Sequence, residues 1–141
     1  MEEYENVQEC SEDVRVEDLS NIELGRKGED IATALVERLG MDVVERNWRD
    51  PHAAEADIIA IDDEEIVFIE VKTRRNYKFG APEEAITLKK QQQYRKLAKQ
   101  YLALHPEEDR SVRFDSIGIS VLGDNHAIIR HVKAAFDGEA A

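Results

Sequence analysis

A chain of 141 residues is long enough for one domain with a real core and too short for two of ordinary size. Its 42% hydrophobic content suits a globular protein, its lone Cys10 excludes an internal disulfide and a thiolate metal site, and it has no run of about 18 apolar residues that would span a membrane. The net charge of −12 would disfavour a nucleic-acid partner if evenly spread, but residues 1–20 hold eight acids against Arg15, while residues 72–100 hold nine bases against Glu83 and Glu84.

The opening Met-Glu-Glu-Tyr-Glu lacks the basic and apolar regions of a signal peptide, so a cytoplasmic protein is expected. Residues 1–20 have few apolar side chains and no sustained period, which predicts a flexible acidic tail. A helix is expected from Asn21, taken as its N-cap, with Glu29 on the side of the apolar stripe Ala32, Leu35, Val36 and Leu39, and with Gly40 as its stop. Val43–Trp48 reads as a short strand before the turn at Pro51, and Ala56–Ile61 and Glu65–Lys72 read as strands joined by Asp62-Asp63-Glu64.

A loop with Asn76, Gly80 and Pro82 leads to a second helix, N-capped by Thr87, on which Lys90, Tyr94, Leu97, Tyr101 and Leu104 share one side; Pro106 ends it. Phe114–Val121 and Ala127–Val132 form a final strand pair around Gly123-Asp124-Asn125. The expected order over residues 21–136 is αβββαββ, an α/β domain with a mixed central sheet flanked by helices, followed by a flexible C-terminus at residues 137–141.

The chemistry concentrates in Glu55-Ala-Asp57 and Glu70-Val-Lys72. Strand alternation sets Glu70 and Lys72 on one face and Val67, Ile69 and Val71 on the other, and pairing through the Asp62–Glu64 turn brings Asp57 beside Glu70. Two such carboxylates about 4 Å apart repel by roughly 4 kcal/mol at an intermediate dielectric, so a proton, Lys72 or a cation must compensate. Carboxylate oxygens suit Mg²⁺ or Mn²⁺, whereas zinc recruits His or Cys. Helical periodicity leaves Glu29 either pointing at this centre or exposed in an early turn, and Lys90 either reaching the centre or a phosphate, or snorkelling. The four histidines lack zinc spacing, and Trp48 and Phe79 default to core packing.

Several stretches together resemble the YraN-type family of endonuclease-like bacterial proteins: Gly25-Arg-Lys-Gly28-Glu29-Asp-Ile-Ala32, Arg46-Asn-Trp48-Arg49, Glu55-Ala-Asp57-Ile-Ile-Ala60, Val67-Phe-Ile-Glu70-Val-Lys72-Thr-Arg74, Phe79-Gly80, Thr87-Leu-Lys-Lys90 and Arg113-Phe-Asp115. The resemblance covers residues 21–136 in one order, and the sequence departs from the family pattern at Ala54, where a glycine is usual. It implies the restriction-endonuclease-like PD-(D/E)xK fold, shared with Holliday-junction resolvases. It also implies metal-dependent phosphodiester hydrolysis: Mg²⁺ or Mn²⁺ on Asp57 and Glu70 with support from Glu29, and Lys72 orienting or activating water.

Arg74, Lys90 and Arg113 occupy family-motif positions; with Arg75 and Lys78 they are the expected nucleic-acid contacts. The partner implied is nucleic acid, DNA before RNA, in structured or branched form during repair or recombination, with no membrane; a homodimer cutting two strands stays open. The competing readings are a non-catalytic nucleic-acid-binding module and a protein-interaction domain on the same fold.

Overall fold

The computed structural model describes residues 2–8 (as a backbone strand), 20–51, 55–75, 86–123 and 126–138. Eight elements follow in order: β1 (Glu2–Gln8), α1 (Asn21–Arg38), β2 (Asp42–Arg49), β3 (Glu55–Asp62), β4 (Glu65–Arg74), α2 (Leu88–Leu104), β5 (Ser111–Gly123) and β6 (His126–Phe136). From α1 onward this is the expected αβββαββ order of the restriction-endonuclease-like fold. The strands form one sheet in the order β1-β6-β5-β4-β3-β2. Four neighbouring pairs are antiparallel, and β4 and β5 alone run parallel because α2 intervenes as the crossover between them.

The two helices cover opposite faces. Leu24, Ile31, Ala32, Leu35 and Val36 of α1 pack on Ile58, Ala60, Val67, Ile69, Ile117 and Ile119. On the other face Tyr94, Leu97, Ala98 and Tyr101 of α2 meet Ile59, Ile66, Phe68 and Phe114. Strands β3 and β4 are therefore sandwiched, which explains why Ile58-Ile59-Ala60 and Ile66-Val67-Phe68-Ile69 read as unbroken apolar runs and not as alternation. Trp48 packs edge-on against Tyr101, as its core reading required.

Local signals set most boundaries. Ser20, one residue before the expected cap, closes a capping box: its hydroxyl accepts from the Glu23 N–H and the Glu23 carboxylate accepts from the Ser20 N–H. Asn21 is instead the first helical residue, since the reciprocal Glu three positions on selects Ser20. Gly40, at φ +94°, ends α1 with its N–H on the Glu37 carbonyl and the Met41 N–H on the Val36 carbonyl. Thr87 caps α2 as expected, accepting from the Lys90 N–H.

Two expectations at the chain ends need adjustment. Glu2–Gln8, read as flexible, forms an edge strand on β6; main-chain pairing needs no apolar pattern, so periodicity does not disclose it. Residues 9–19 of the expected tail, Ala54, the 76–85 loop and residues 139–141 lie outside the described residues. Asp137, read as part of a flexible end, is anchored by its carbonyl, which accepts from Arg95 Nε, and by its carboxylate, 3.5 Å from Arg95 Nη2. Among the described residues no helix is long and apolar enough to cross a membrane.

Candidate active site at the β3–β4 end

The antiparallel ladder of β3 and β4 runs from Asp62–Glu65 to Ile58–Ile69. One step beyond, the side chain of Asp57 replaces the next backbone acceptor: its Oδ2 takes the Val71 N–H at 2.8 Å. That bond holds the carboxylate at the level of Glu70. The expected facial division is also present, with Val67, Ile69 and Val71 packed on the α1 side and Ile66 and Phe68 on the α2 side. Alternation then sets Glu70 and Lys72 on the α2 face.

Helix α2 braces this end of the sheet from above. The Tyr94 hydroxyl, fully buried, accepts from the Asp57 N–H at 3.4 Å and donates to the Ile69 carbonyl at 3.3 Å, linking β3 to β4. One turn earlier, Lys90 Nζ lies 3.2 Å from Glu70 Oε1. The spacing of four residues puts both polar tips on one helical side, so Lys90 reaches the acidic centre, one of the alternatives open in the sequence. Tyr94 is the contributor that pattern reading missed. It counted as a stripe residue, and a phenol tip in an otherwise apolar stripe is the available signal that a partner was needed.

Glu29 arrives from α1. Gly28 precedes it, and a Cβ there would collide with Thr73 of β4, so the glycine permits the close helix–strand approach that brings Glu29 to this end. Glu29 Oε1 accepts from Asn47 Nδ2 at 2.9 Å and sits 4.0 Å from Arg46 Nη2, which is itself 2.9 Å from Asp30. Asn47 makes that bond from a left-handed backbone, φ 52°, a conformation Asn tolerates better than most residues. Glu55 pairs with Arg49 at 3.1 Å.

The electrostatic result is a carboxyl short of positive charge. Asp57 is pushed up from 3.8 to about 7, first by burial and further by the charges of Glu29, Glu70 and Glu55, against the opposing pull of the Val71 N–H. Burial and the charges of Asp57 and Glu70 hold the Tyr94 phenol well above its ordinary value, so it remains a hydroxyl donor. Asp57 and Glu70 are hard oxygen donors on adjacent strands, the donor chemistry of Mg²⁺ or Mn²⁺. Among the described residues no three His, Cys, Asp or Glu side chains stand together as a ready metal cage. Mg²⁺ commonly takes one or two carboxylates and completes its shell with water and phosphate, so the pair fits that ion without a third protein ligand.

The remaining expected residues scatter. Lys72 is exposed, two positions past Glu70. Arg74 is half-buried at the end of β4, and Arg75 Nη2 donates to Asn21 Oδ1 at 3.1 Å, tying this end of β4 to the start of α1. Lys78, with Tyr77 and Phe79, lies outside the described residues.

Arg113 sits elsewhere, and its assignment as a nucleic-acid contact is corrected. Its guanidinium, 10% exposed, is bound to Asp115 through Nε and Nη2 and to Asp62 and Glu65 through Nη1, all within 3.0 Å. His131 Nε2 and the Ala134 N–H complete the Asp115 shell at 2.8 and 3.0 Å. Burial alone would raise Asp115, but His131, Arg113 and the Ala134 N–H together hold it below its ordinary value. This cluster lies at the β3–β4 turn, the opposite end of the strands from Asp57. A basic residue inside a family-like motif looks the same in sequence whether it meets phosphate or buried carboxylates.

The model of the family described as "Uncharacterised protein family UPF0102" matches residues 28–119. A UPF0102 protein of Rhodococcus opacus is 40% identical over 82% of this chain and 98% of its own length. One from Geotalea daltonii is 44% identical over 83% of this chain and 91% of its own, and one from Geobacter sulfurreducens is 41% identical over 81% and 88%.

Proposed function

The chain belongs to the UPF0102 family, the YraN-type family its motifs resemble, and from that membership and the Asp57 centre we propose a metal-dependent nuclease that hydrolyses phosphodiester bonds. The single observation that carries the reading is the placement of Asp57 on β3 at the level of Glu70 on β4, its Oδ2 fixed by the Val71 N–H, where burial and the charges of Glu29, Glu70 and Glu55 push its carboxyl up to about 7. A site that retains a proton for want of positive charge is one that a divalent cation would fill. In this reading Asp57 and Glu70 hold Mg²⁺ or Mn²⁺, Glu29 supports them through the field it adds at Asp57, and the ion supplies Lewis acidity toward the phosphate and the attacking water.

The protein's own groups do the rest. The Val71 N–H fixes the Asp57 carboxylate, and Tyr94 locks the two strands that carry Asp57 and Glu70. Lys72, exposed on the same face as Glu70, meets the negative charge that develops on the phosphate oxygens and orients water toward phosphorus. Lys90 offsets the charge of Glu70 and faces an incoming phosphate. Arg74 and Arg75 extend positive charge beyond the end of β4 for the substrate backbone, and Lys78 follows them in sequence. The proposed substrate is structured or branched DNA met in the cytoplasm during repair or recombination, with a homodimer as the arrangement that cuts both strands.

The test is a screen of labelled junctions, flaps, duplexes and single strands with Mg²⁺, Mn²⁺ or EDTA, using wild type, Asp57→Ala and Lys72→Ala. Cleavage should need metal and fall by at least about 10³-fold in both variants, a barrier increase of roughly 4 kcal/mol. Equal cleavage by all three proteins would assign it to a contaminant and overturn the reading. A second reading, a binding module without turnover, draws on the absence of a three-ligand cage among the described residues. It expects salt-sensitive DNA binding that persists in EDTA with no product.

A further inference from the structure

Strands β2 and β3 both change phase at one level. In β3, Ile58 packs on the α1 side and Ala56 on the α2 side, although residues two apart in a regular strand share a face. In β2, Arg46 is paired with Ile58 and reaches Asp30 of α1. Trp48 is paired with Ala56 and packs on Tyr101 of α2. The residues between these pairs, Asn47 and Asp57, therefore stand opposite one another where the alternation of both strands breaks.

Each break releases a side chain from the two sheet faces. Asp57 turns along the sheet and takes the Val71 N–H at 2.8 Å. Asn47 adopts a left-handed backbone, φ 52°, and its Nδ2 donates to Glu29 Oε1 at 2.9 Å. That backbone is uncommon outside glycine, and Asn is among the residues that enter it most readily. Here it serves three contacts together: Arg46 goes to α1, Trp48 goes to α2, and the Asn47 amide goes to Glu29.

The chemistry of the amide matters as much as its place. A carboxylate only accepts, so Asn47 presents its NH₂ end to Glu29. The donor is neutral and fixes Glu29 without bringing a compensating charge. The Arg46 guanidinium would bring one, but it lies nearer to Asp30, at 2.9 Å, than to Glu29, at 4.0 Å. Gly28, against Thr73 of β4, sets how closely α1 approaches the sheet, and Asn47 sets where the carboxylate that follows comes to rest.

We propose that Asn47 is a positioning residue of the cation centre and acts through Glu29, holding that carboxylate at the end of the sheet where Asp57 and Glu70 stand. This role rests on the metal-dependent reading of Asp57 and Glu70, and adds to it the group that fixes the helix-borne acid.

Mg²⁺ and Mn²⁺ uptake by the full chain, measured by calorimetry without nucleic acid, tests the role alongside thermal melting. Asn47→Gly removes the amide but keeps a residue that adopts φ 52° freely, so its melting temperature should stay within a few degrees of wild type. Its cation dissociation constant should rise by about tenfold or more, the usual consequence of losing an outer partner of a metal site. Asn47→Ala removes the amide and strains the backbone, so it should lose the same affinity and melt lower.

The coupling to Glu29 is read from a double-variant cycle. Glu29→Gln should lower cation affinity by itself and leave Asn47→Gly with less than about a twofold further effect. An asparagine that merely supports the fold would add its own loss to that of Glu29→Gln. Three results would each overturn the role of Asn47 and leave the cation centre standing: unchanged affinity in Asn47→Gly, a loss in Asn47→Ala alone, or additive losses with Glu29→Gln. No uptake by the wild type would overturn the metal-dependent reading and the role of Asn47 with it.

Discussion

Asp57, half-buried, and Asp115, buried, are aspartates on strands of the same sheet, and their carboxyls are shifted in opposite directions. Asp115 receives the Arg113 guanidinium, His131 and a main-chain N–H, and is held low. Asp57 receives one main-chain N–H, feels three neighbouring acids and is raised to about 7. Burial works against the charged form in both. What separates them is the supply of partners: one cluster is electrostatically closed by the chain itself, while the other leaves a demand for positive charge that something from outside can meet. A closed cluster holds the fold together, and an open one is where chemistry is to be sought.

The largest effect should come from opening the closed cluster. Arg113→Met removes the cation shared by Asp62, Glu65 and Asp115 and leaves the buried Asp115 carboxylate to His131 and the Ala134 N–H. Loss of one partner from a buried pair costs about 3–5 kcal/mol, so urea midpoints near neutral pH should fall accordingly. A loss under about 1 kcal/mol would show that Asp115 does not depend on Arg113 and would dissolve the contrast.

Next comes relief of the open cluster. Unfolded Asp57 titrates near 3.8 and the folded group near 7, so between those values the native state holds a proton that the unfolded chain has released. The contribution of the neutral carboxyl is therefore complete below the unfolded value and is lost as pH rises through the folded one, the reverse of an ordinary salt-bridged aspartate. Asp57→Asn keeps an oxygen for the Val71 N–H and carries no charge. It should stabilise the protein by on the order of 2–4 kcal/mol at about pH 8, with little difference near pH 4. Thermal melts across that range decide it, and parallel curves for the two proteins would remove Asp57 from the comparison. At the alkaline end, Mg²⁺ or Mn²⁺ should raise the wild-type melting temperature and leave that of the variant unchanged, because a ligand stabilises only the state that binds it.

Smaller effects sharpen the picture of how α2 serves the open site. Tyr94→Phe deletes the hydroxyl between the Asp57 N–H and the Ile69 carbonyl, and should cost about 1 kcal/mol in chemical denaturation. No loss would mean that packing alone joins the strands there. Lys90→Met breaks a partly exposed pair with Glu70, worth about 1 kcal/mol or less. A stability loss as large as that of Arg113→Met would place Glu70 among the closed carboxylates and not beside Asp57.

What the sequence alone determined is the scaffold and the outline of the site. Element order from α1 onward, the Gly40 stop, the Thr87 cap and the facial split of Glu70 and Lys72 from Val67, Ile69 and Val71 follow from local periods and from turn and capping chemistry, which act over a few residues. The tertiary structure decided which polar groups were already satisfied. Arg113 meets Asp62 and Glu65 some fifty residues away, Glu29 finds Asn47 across an element, Tyr94 reaches between β3 and β4, and an acidic N-terminal segment finds the edge of β6. Each of these depends on partners distant in the chain, and the charge balance that separates Asp57 from Asp115 exists only once folding has brought them together.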